Sequence, residues 1–198
     1  MKEKPIIFTS QMVKAILEGR KSQTRRPLKP QPQLAHDGKW DLYIKGKWVG
    51  AIAEKNNSIL NVCPYGQLGD YLWVREKFTL CPKDFRPNGI IYFANGKPDI
   101  TYVMSNEWHS SIHMPRYASR ITLEIVNVKV EKLQNITEED ARAEGIIWTE
   151  IETAPRSGIF RPYAKEQFEQ LWDSIYSKKG MGWTVNPWCW CITFKRIT

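Results

Sequence analysis

The feature that most constrains the fold is a long alternation of apolar and polar side chains over residues 120–133. A period of two residues places one set of side chains on one face of a β-strand. The alternation changes phase near Asn127, which predicts a β-bulge there. The sequence therefore predicts one long strand with a buried face. Its apolar members are Ile121, Leu123, Ile125, Val128 and Val130.

Shorter elements surround this strand. Helices are predicted from Ser10 to Gly19, over residues 138–144 between the cap Thr137 and Gly145, and over residues 163–176. Because helices and strands do not alternate regularly, a doubly wound parallel sheet is disfavoured. The pattern predicts an α+β fold, namely a small, partly closed β-barrel with about three peripheral helices. The other predicted strands cover residues 5–8, 40–45, 47–53, 71–78, 90–93 and 188–195, with a hairpin turn at Gly46.

The length of 198 residues favours a single domain that buries one core. No apolar run approaches the roughly 20 residues that a membrane helix requires. The first residues are too polar for a signal peptide. We therefore expect a cytoplasmic protein.

The net charge of +8 favours polyanionic partners such as RNA or nucleotides. Nine Trp and eight Tyr add flat surfaces on which bases could stack, although most of them are expected to pack in the core. Four Cys and three His could bind metal, but no Cys-x-x-Cys pair exists, so no metal site and no cofactor are predicted. Cys189 and Cys191 are instead expected on one face of a strand.

Residues 20–26 form a dense cationic turn before Pro27. Five of these seven residues are Arg, Lys or Thr, which predicts an anion site near a helix end. The alternative is a solvated basic loop. The cations proposed to grip phosphate here are Arg20, Arg25 and Arg26.

Three segments together carry a family resemblance. Residues 17–26 (Leu-Glu-Gly-Arg-Lys-Ser-Gln-Thr-Arg-Arg), the Gly-Asp turn at residues 69–70 with the strand after it, and residues 136–145 (Ile-Thr-Glu-Glu-Asp-Ala-Arg-Ala-Glu-Gly) resemble the ASCH family. The fold of that family is a barrel related to the PUA RNA-binding domain. The order of the segments matches as well. Further segments resemble the longer phage and prophage members, so that the resemblance spans most of the chain: residues 5–8, 73–76, 114–120 and 186–188.

The resemblance implies several functions, because the family is heterogeneous. Its members include RNA-binding modules, ribonucleases and amidohydrolases that remove acetyl from N4-acetylcytidine. The catalytic positions of the amidohydrolases match Lys21, Thr24 and Glu144 here. This chain departs from that branch at Ser22, at residues 25–27 (Arg-Arg-Pro), and in insertions near residues 31–64 and 81–113, which could reshape the pocket.

The chemistry of these three residues can be stated without the family. The Thr24 hydroxyl needs a base to become a nucleophile, and Lys21 can be that base only if its pKa is lowered by burial or neighbouring cations. Glu144 could pass a proton to the leaving amine, or could pair with Lys21 and raise its pKa. Such a site requires no metal. Each residue taken singly could also be an ordinary surface or strand residue.

A second set of cations, Arg75, Arg116 and Arg120, lies near predicted strand starts. These arginines are expected to form a phosphate-gripping rim, or else to pair with carboxylates such as Glu76 and Glu124. The sequence therefore predicts a protein that binds RNA, a nucleotide or a modified nucleoside. The working mechanism is deacylation of N4-acetylcytidine or a related base. The alternatives are a non-catalytic RNA- or nucleotide-binding module and a ribonuclease; the oligomeric state is not predicted.

Overall fold

The computed structural model describes residues 1–52, 57–81, 89–96, 108–147, 150–152, 158 and 160–198. Within these residues the fold is α+β, as predicted, with three α-helices and four β-sheets. The helices are α1 (Ser10–Leu17), α2 (Glu138–Ala143) and α3 (Ala164–Tyr176). The strands are β1 (Glu3–Ile7), β2 (Gln23–Pro27), β3 (Gln33–Leu34), β4 (Trp40–Ile44), β5 (Lys47–Ile52), β6 (Tyr71–Arg75), β7 (Phe78–Leu80), β8 (Ile90–Tyr92), β9 (Thr122–Lys132), β10 (Glu150–Glu152), β11 (Phe160–Pro162) and β12 (Trp188–Arg196).

The main sheet has the strand order β1-β6-β9-β12-β2. Strands β1 and β6 are parallel, and the other neighbours are antiparallel. The predicted long strand is β9. Thr193 of β12 lies opposite Asn127, whereas the next residue, Phe194, lies opposite Ile125, so Val126 is the extra residue of a bulge. The bulge predicted near Asn127 is confirmed.

The two edges of the main sheet approach each other. Arg26 of β2 donates a hydrogen bond from Nη2 to the backbone carbonyl of Ile7 in β1, at 2.6 Å. No backbone ladder joins β1 to β2 among the described residues. The sheet is therefore curved but not closed. The apolar core lies on its concave face and includes Ile6, Leu72, Ile125, Ile192 and Phe194.

Helix α1 begins one residue earlier than predicted. Thr9, and not Ser10, is the cap, and its hydroxyl accepts a hydrogen bond from the backbone N–H of Met12 at 3.4 Å. Val13 and Ile16 are buried against the core of the main sheet. Gly19, with φ of 75°, turns the chain out of the helix.

Helix α2 is capped as predicted. The Thr137 hydroxyl accepts from the backbone N–H of Asp140 at 3.1 Å. Gly145 follows with φ of 88°, and a Cβ atom at this position would lie 2.8 Å from the Ala15 Cβ and 2.9 Å from the Lys21 Cβ. Only glycine therefore allows the end of α2 to pack this closely against α1 and Lys21.

A second core lies on the other face of β12. Phe168 and Trp172 of α3 pack there with Cys189 and Cys191, which share one face of the strand as predicted. Burial raises the pKa of both thiols, which keeps them protonated. Among the described residues, no helix has the length and apolar character needed to cross a membrane.

The two predicted insertions are described in part. In residues 31–64, strands β3, β4 and β5 form a separate three-stranded sheet, whose β4–β5 hairpin turns at Gly46 as predicted. Residues 53–56 of this segment, and residues 82–88 and 97–107 of the segment 81–113, lie outside the described residues. The predicted strand over residues 71–78 is split, because β6 ends at Arg75 and β7 begins at Phe78.

Candidate functional site

The cationic turn lies beside the end of α2. After Gly19, the backbone N–H groups of Arg20 and Lys21 both donate to the carbonyl of Ala15, which fixes the turn against α1. Lys21 and Glu144 then form an isolated antiparallel bridge. Two segments more than 120 residues apart in sequence are thereby joined, and the predicted Lys21 and Glu144 are in direct contact.

Lys21 is fully enclosed. Its Nζ donates to Glu144 Oε2, to the Glu144 carbonyl and to the Gln23 carbonyl, each at 2.8 Å. The side chain has no exposed surface. Burial lowers the pKa of Lys21, Glu144 opposes this change, and the charges of Arg26 and Arg25 add to it. Three acceptors match the three N–H donors of an ammonium, so the geometry is that of the charged form.

Arg25 is enclosed by carboxylates. Its Nη2 contacts Glu131 and lies 2.7 Å from Asp140, and its Nη1 lies 3.7 Å from Glu144 Oε1. Burial alone would lower the pKa of Arg25, but its neighbours, foremost Cys191 and Glu144, raise the pKa above its ordinary value. The guanidinium is fully buried, so it faces these acids instead of solvent.

The charges of this cluster balance. Lys21, Arg25 and Lys129 are its cations, and three acids oppose them: Glu131, Asp140 and Glu144. Arg20 is also paired, through Glu18, and donates to the Gly145 carbonyl at 2.8 Å. The sequence predicted a cationic anion site here, whereas most of its cations are neutralised by neighbouring carboxylates.

Arg26 differs from the other cations of the turn. Among the described residues it has no carboxylate partner; it donates to the Ile7 carbonyl and, at 3.4 Å, to the Tyr176 hydroxyl. Its guanidinium carbon lies 5.3 Å from the centroid of the Phe8 ring. Its positive charge is therefore available to a ligand near Tyr176.

A small cavity adjoins Thr24, and we call it the Thr24 cavity. Thr24 and Glu144 both line it, and its volume of about 20 Å³ is room for about one water. Among the described residues, Glu144 Oε1 and Arg25 Nη1 have no hydrogen-bond partner although both are buried. Buried polar groups are normally paired. A donor and an acceptor are thus left open beside the Thr24 side chain.

A larger cavity lies on the far side of Glu144, and we call it the Glu144 cavity. Its volume is about 530 Å³, within the range of small-molecule sites. Arg20, Lys14 and Gly145 are among its lining residues. It shares three lining residues with the Thr24 cavity, so the two spaces adjoin: Met12, Glu144 and Leu171.

Helix α3 covers the Thr24 cavity, which sequence analysis did not foresee. Phe168, Leu171, Trp172 and Tyr176 all line this cavity. Their helical spacing predicted a buried face on α3, but nothing local to the helix indicates what that face covers. Lys21, by contrast, lines neither cavity, although Thr24 and Glu144 do.

The second set of predicted cations lies elsewhere. Arg120 binds Glu76 through two hydrogen bonds, at 2.8 and 2.9 Å, and Arg116 binds Glu3 through two at 2.9 Å. Glu124, the other predicted partner, instead pairs with Lys195 at 3.0 Å. None of these arginines lines the Thr24 or the Glu144 cavity.

Arg75 has a different environment from Arg116 and Arg120. It donates to the Met114 carbonyl at 3.1 Å, and its guanidinium lies 4.9 Å from the Trp73 ring centroid. Arg116 approaches the same ring at 6.0 Å. Two cations and one aromatic ring therefore form a basic patch, remote from Glu144 in its contacts, which we call the Trp73 patch.

Metal ligation was examined in the same part of the chain. Within the described residues, no three His, Cys, Asp or Glu side chains are grouped so that they could hold a metal ion.

Comparison with known proteins gives only distant similarity. No family model matches the chain, and no curated protein matches it. Among solved structures, a protein of the DUF984 family from Enterococcus faecalis has a TM-score of 0.44 at 11% identity, covering 100% of this chain and 81% of that one. An ASCH domain from Lactobacillus crispatus has a TM-score of 0.43 at 10% identity, covering 98% and 79%. The second carries the family name that the sequence motifs resemble, but neither similarity is close enough to support an argument about activity.

Proposed function

We propose that the protein binds a nucleoside or a nucleotide of RNA in the Glu144 cavity. The proposal includes a single ASCH domain with a partly closed, PUA-like barrel. Three observations support it: the order of the ASCH-like segments, the net charge of +8, and a cavity of about 530 Å³ beside the conserved-type motif residues Glu144 and Arg20.

The observation that carries the proposal is the unpaired donor and acceptor at the Thr24 cavity. Glu144 Oε1 can accept a hydrogen bond, and Arg25 Nη1 can donate one. An amide or the edge of a nucleobase offers the complementary pair, an N–H beside a C=O. Because an unpaired buried polar group is costly, a ligand that satisfies both atoms gains affinity.

Amide hydrolysis is the second candidate function. In this reaction the Thr24 hydroxyl attacks the acyl carbon of an N4-acylated cytidine, and its proton passes to neutral Lys21. Glu144 delivers a proton to the leaving amine, and water then releases the acyl group from Thr24. The lowered pKa of Lys21 favours this candidate, because burial makes the neutral base accessible.

The enclosed geometry of Lys21 favours binding over catalysis. All three donors of its ammonium are used within the protein, and the side chain does not reach either cavity. Turnover would therefore require Lys21 to lose its proton and α3 to move away from Thr24. Simple binding beside Glu144 requires only that the ligand enter the larger cavity.

One set of incubations separates the candidates. Purified protein is mixed with N4-acetylcytidine and with single-stranded RNA, and deacetylation, strand cleavage and a salt-sensitive mobility shift are recorded. Binding without turnover supports the first candidate, and deacetylation supports the second. Strand cleavage would instead support a ribonuclease. Neither binding nor turnover with any of these ligands would refute the proposal.

Variants sharpen the same comparison. A nucleophilic Thr24 predicts that Thr24→Val abolishes turnover with nearly unchanged affinity, while Thr24→Ser keeps some activity. A catalytic Lys21 predicts that Lys21→Arg is inactive, because a guanidinium does not deprotonate at working pH. A binding site predicts the reverse, namely that Lys21→Arg is tolerated and Thr24→Val loses affinity.

A further inference from the structure

A third cavity lies beyond the Thr24 cavity and has aromatic walls. Its volume is about 360 Å³, and we call it the tyrosine cavity. Tyr176 lines both this cavity and the Thr24 cavity, which in turn shares Glu144 with the Glu144 cavity. The three spaces therefore follow one another beside α3. The tyrosine cavity is lined by Pro27, Lys29, Pro64, Tyr65, Tyr176 and Trp190.

The aromatic walls are held in place by packing. Trp190 is buried in the core of the main sheet, and Tyr65 packs against that core. Tyr176 belongs to the second core, where its ring lies 4.3 Å from that of Trp172. Rings fixed in this way present flat faces without a large loss of side-chain entropy on binding. Such faces suit nucleobases, which stack on aromatic side chains with little dependence on sequence.

The charges around this cavity are positive. Lys29 is exposed, and Lys179 places its Nζ 5.2 Å from the Tyr176 ring centroid. Among the described residues, neither lysine has a carboxylate partner, and no acidic side chain lines the cavity. Arg26 adds a third cation at the Tyr176 hydroxyl. Aromatic faces with unpaired cations complement a base joined to a phosphate.

We propose that the tyrosine cavity holds a second nucleotide, next in the strand to the one bound at the Glu144 cavity. The ligand is then a single-stranded oligonucleotide and not a free nucleoside. This inference rests on the proposed function and extends it to the substrate class. Because stacking reads no base edge, the second position accepts any base.

Calorimetric titration of the wild-type protein tests the inference. The ligands are cytidine 5′-monophosphate and trinucleotides of RNA and of DNA that contain cytidine. Stacking of one further base predicts that a trinucleotide binds about tenfold more tightly than the mononucleotide. A tighter RNA than DNA trinucleotide identifies RNA as the source of the ligand, and the reverse order identifies DNA; either order supports the inference.

Two variants localise the gain. Tyr65→Leu should remove the advantage of the trinucleotide and leave the affinity for the mononucleotide unchanged. Lys29→Gln should weaken trinucleotide binding about threefold at low salt and reduce its salt dependence. The matched controls are Tyr43→Leu and Lys47→Gln, which alter exposed positions of the β4–β5 hairpin and should change neither affinity.

The outcomes separate this inference from the proposed function. Equal wild-type affinities for mononucleotide and trinucleotide would overturn the inference and leave the proposed function intact. Absence of binding to all three ligands would overturn both. If Tyr65→Leu does not fold, Lys29→Gln decides the matter, because Lys29 is exposed; trinucleotide affinity and salt dependence that match those of Lys47→Gln would refute the assignment.

Discussion

Removal of Glu144 should destabilise the protein far more than removal of an exposed carboxylate. In Glu144→Ala, Lys21 keeps two carbonyl acceptors but loses its only carboxylate partner, and its side chain remains without solvent. Leaving one member of a buried pair without its partner costs about 3–5 kcal/mol. The matched control is Glu18→Ala, because Glu18 binds Arg20 with 54% of its side chain exposed. That pair contributes within about 1 kcal/mol.

Urea unfolding followed by circular dichroism measures the difference. For a slope of about 2 kcal/mol per M, loss of Glu144 should lower the unfolding midpoint by about 1.5–2.5 M, and loss of Glu18 by about 0.5 M or less. The double variant Lys21→Met/Glu144→Leu should recover much of the lost stability, because it removes both buried charges. Equal midpoints for Glu144→Ala and Glu18→Ala would refute the reasoning, since they would mean that Lys21 and Glu144 do not form a buried pair.

Three further predictions concern the same structure. Because the folded pKa of Lys21 lies below its ordinary value of 10.5, the unfolded chain binds more protons between these two values, so the free energy of unfolding should rise with pH in that window; Lys21→Met should flatten the rise in pH-dependent urea titrations, and an unchanged slope would contradict it. Gly145→Ala should lower thermal stability more than Gly38→Ala, which has a similar φ of 80° but an open environment; equal losses in calorimetry would show that close packing at Gly145 is unimportant. If the Trp73 patch contacts phosphate, Arg75→Gln should reduce the slope of log affinity against log salt for single-stranded RNA by about 0.7, whereas Lys45→Gln should not; identical slopes would remove Arg75 from the interface.

Local signals predicted the elements well. The Thr137 cap, the bulge near Asn127 and the Gly46 hairpin each depend on residues within a few positions of one another, so the chain states them directly. The family-like motif also brought Lys21 and Glu144 together correctly. These features needed no knowledge of long-range packing.

The electrostatic environment of the site could not be predicted in the same way. Arg25 is neutralised by Glu131 and Asp140, which lie more than 100 residues away in sequence. The cover formed by α3 has the same origin, because the apolar face of the helix does not specify its partner. Sequence analysis therefore identified a cationic turn, while only the fold shows that Arg26 alone among its arginines lacks a carboxylate partner within the described residues.

The central claim is that a nucleoside binds beside Glu144, and calorimetric titration with N4-acetylcytidine and cytidine tests it most directly. The variant is Glu144→Gln, and the matched control is Glu124→Gln, which removes a carboxylate that pairs with Lys195 outside the site. The account predicts that the wild type and the control bind with equal affinity, and that Glu144→Gln, folded by circular dichroism, binds about tenfold more weakly or worse. Equal affinity of both variants, or no binding by the wild type, would contradict it.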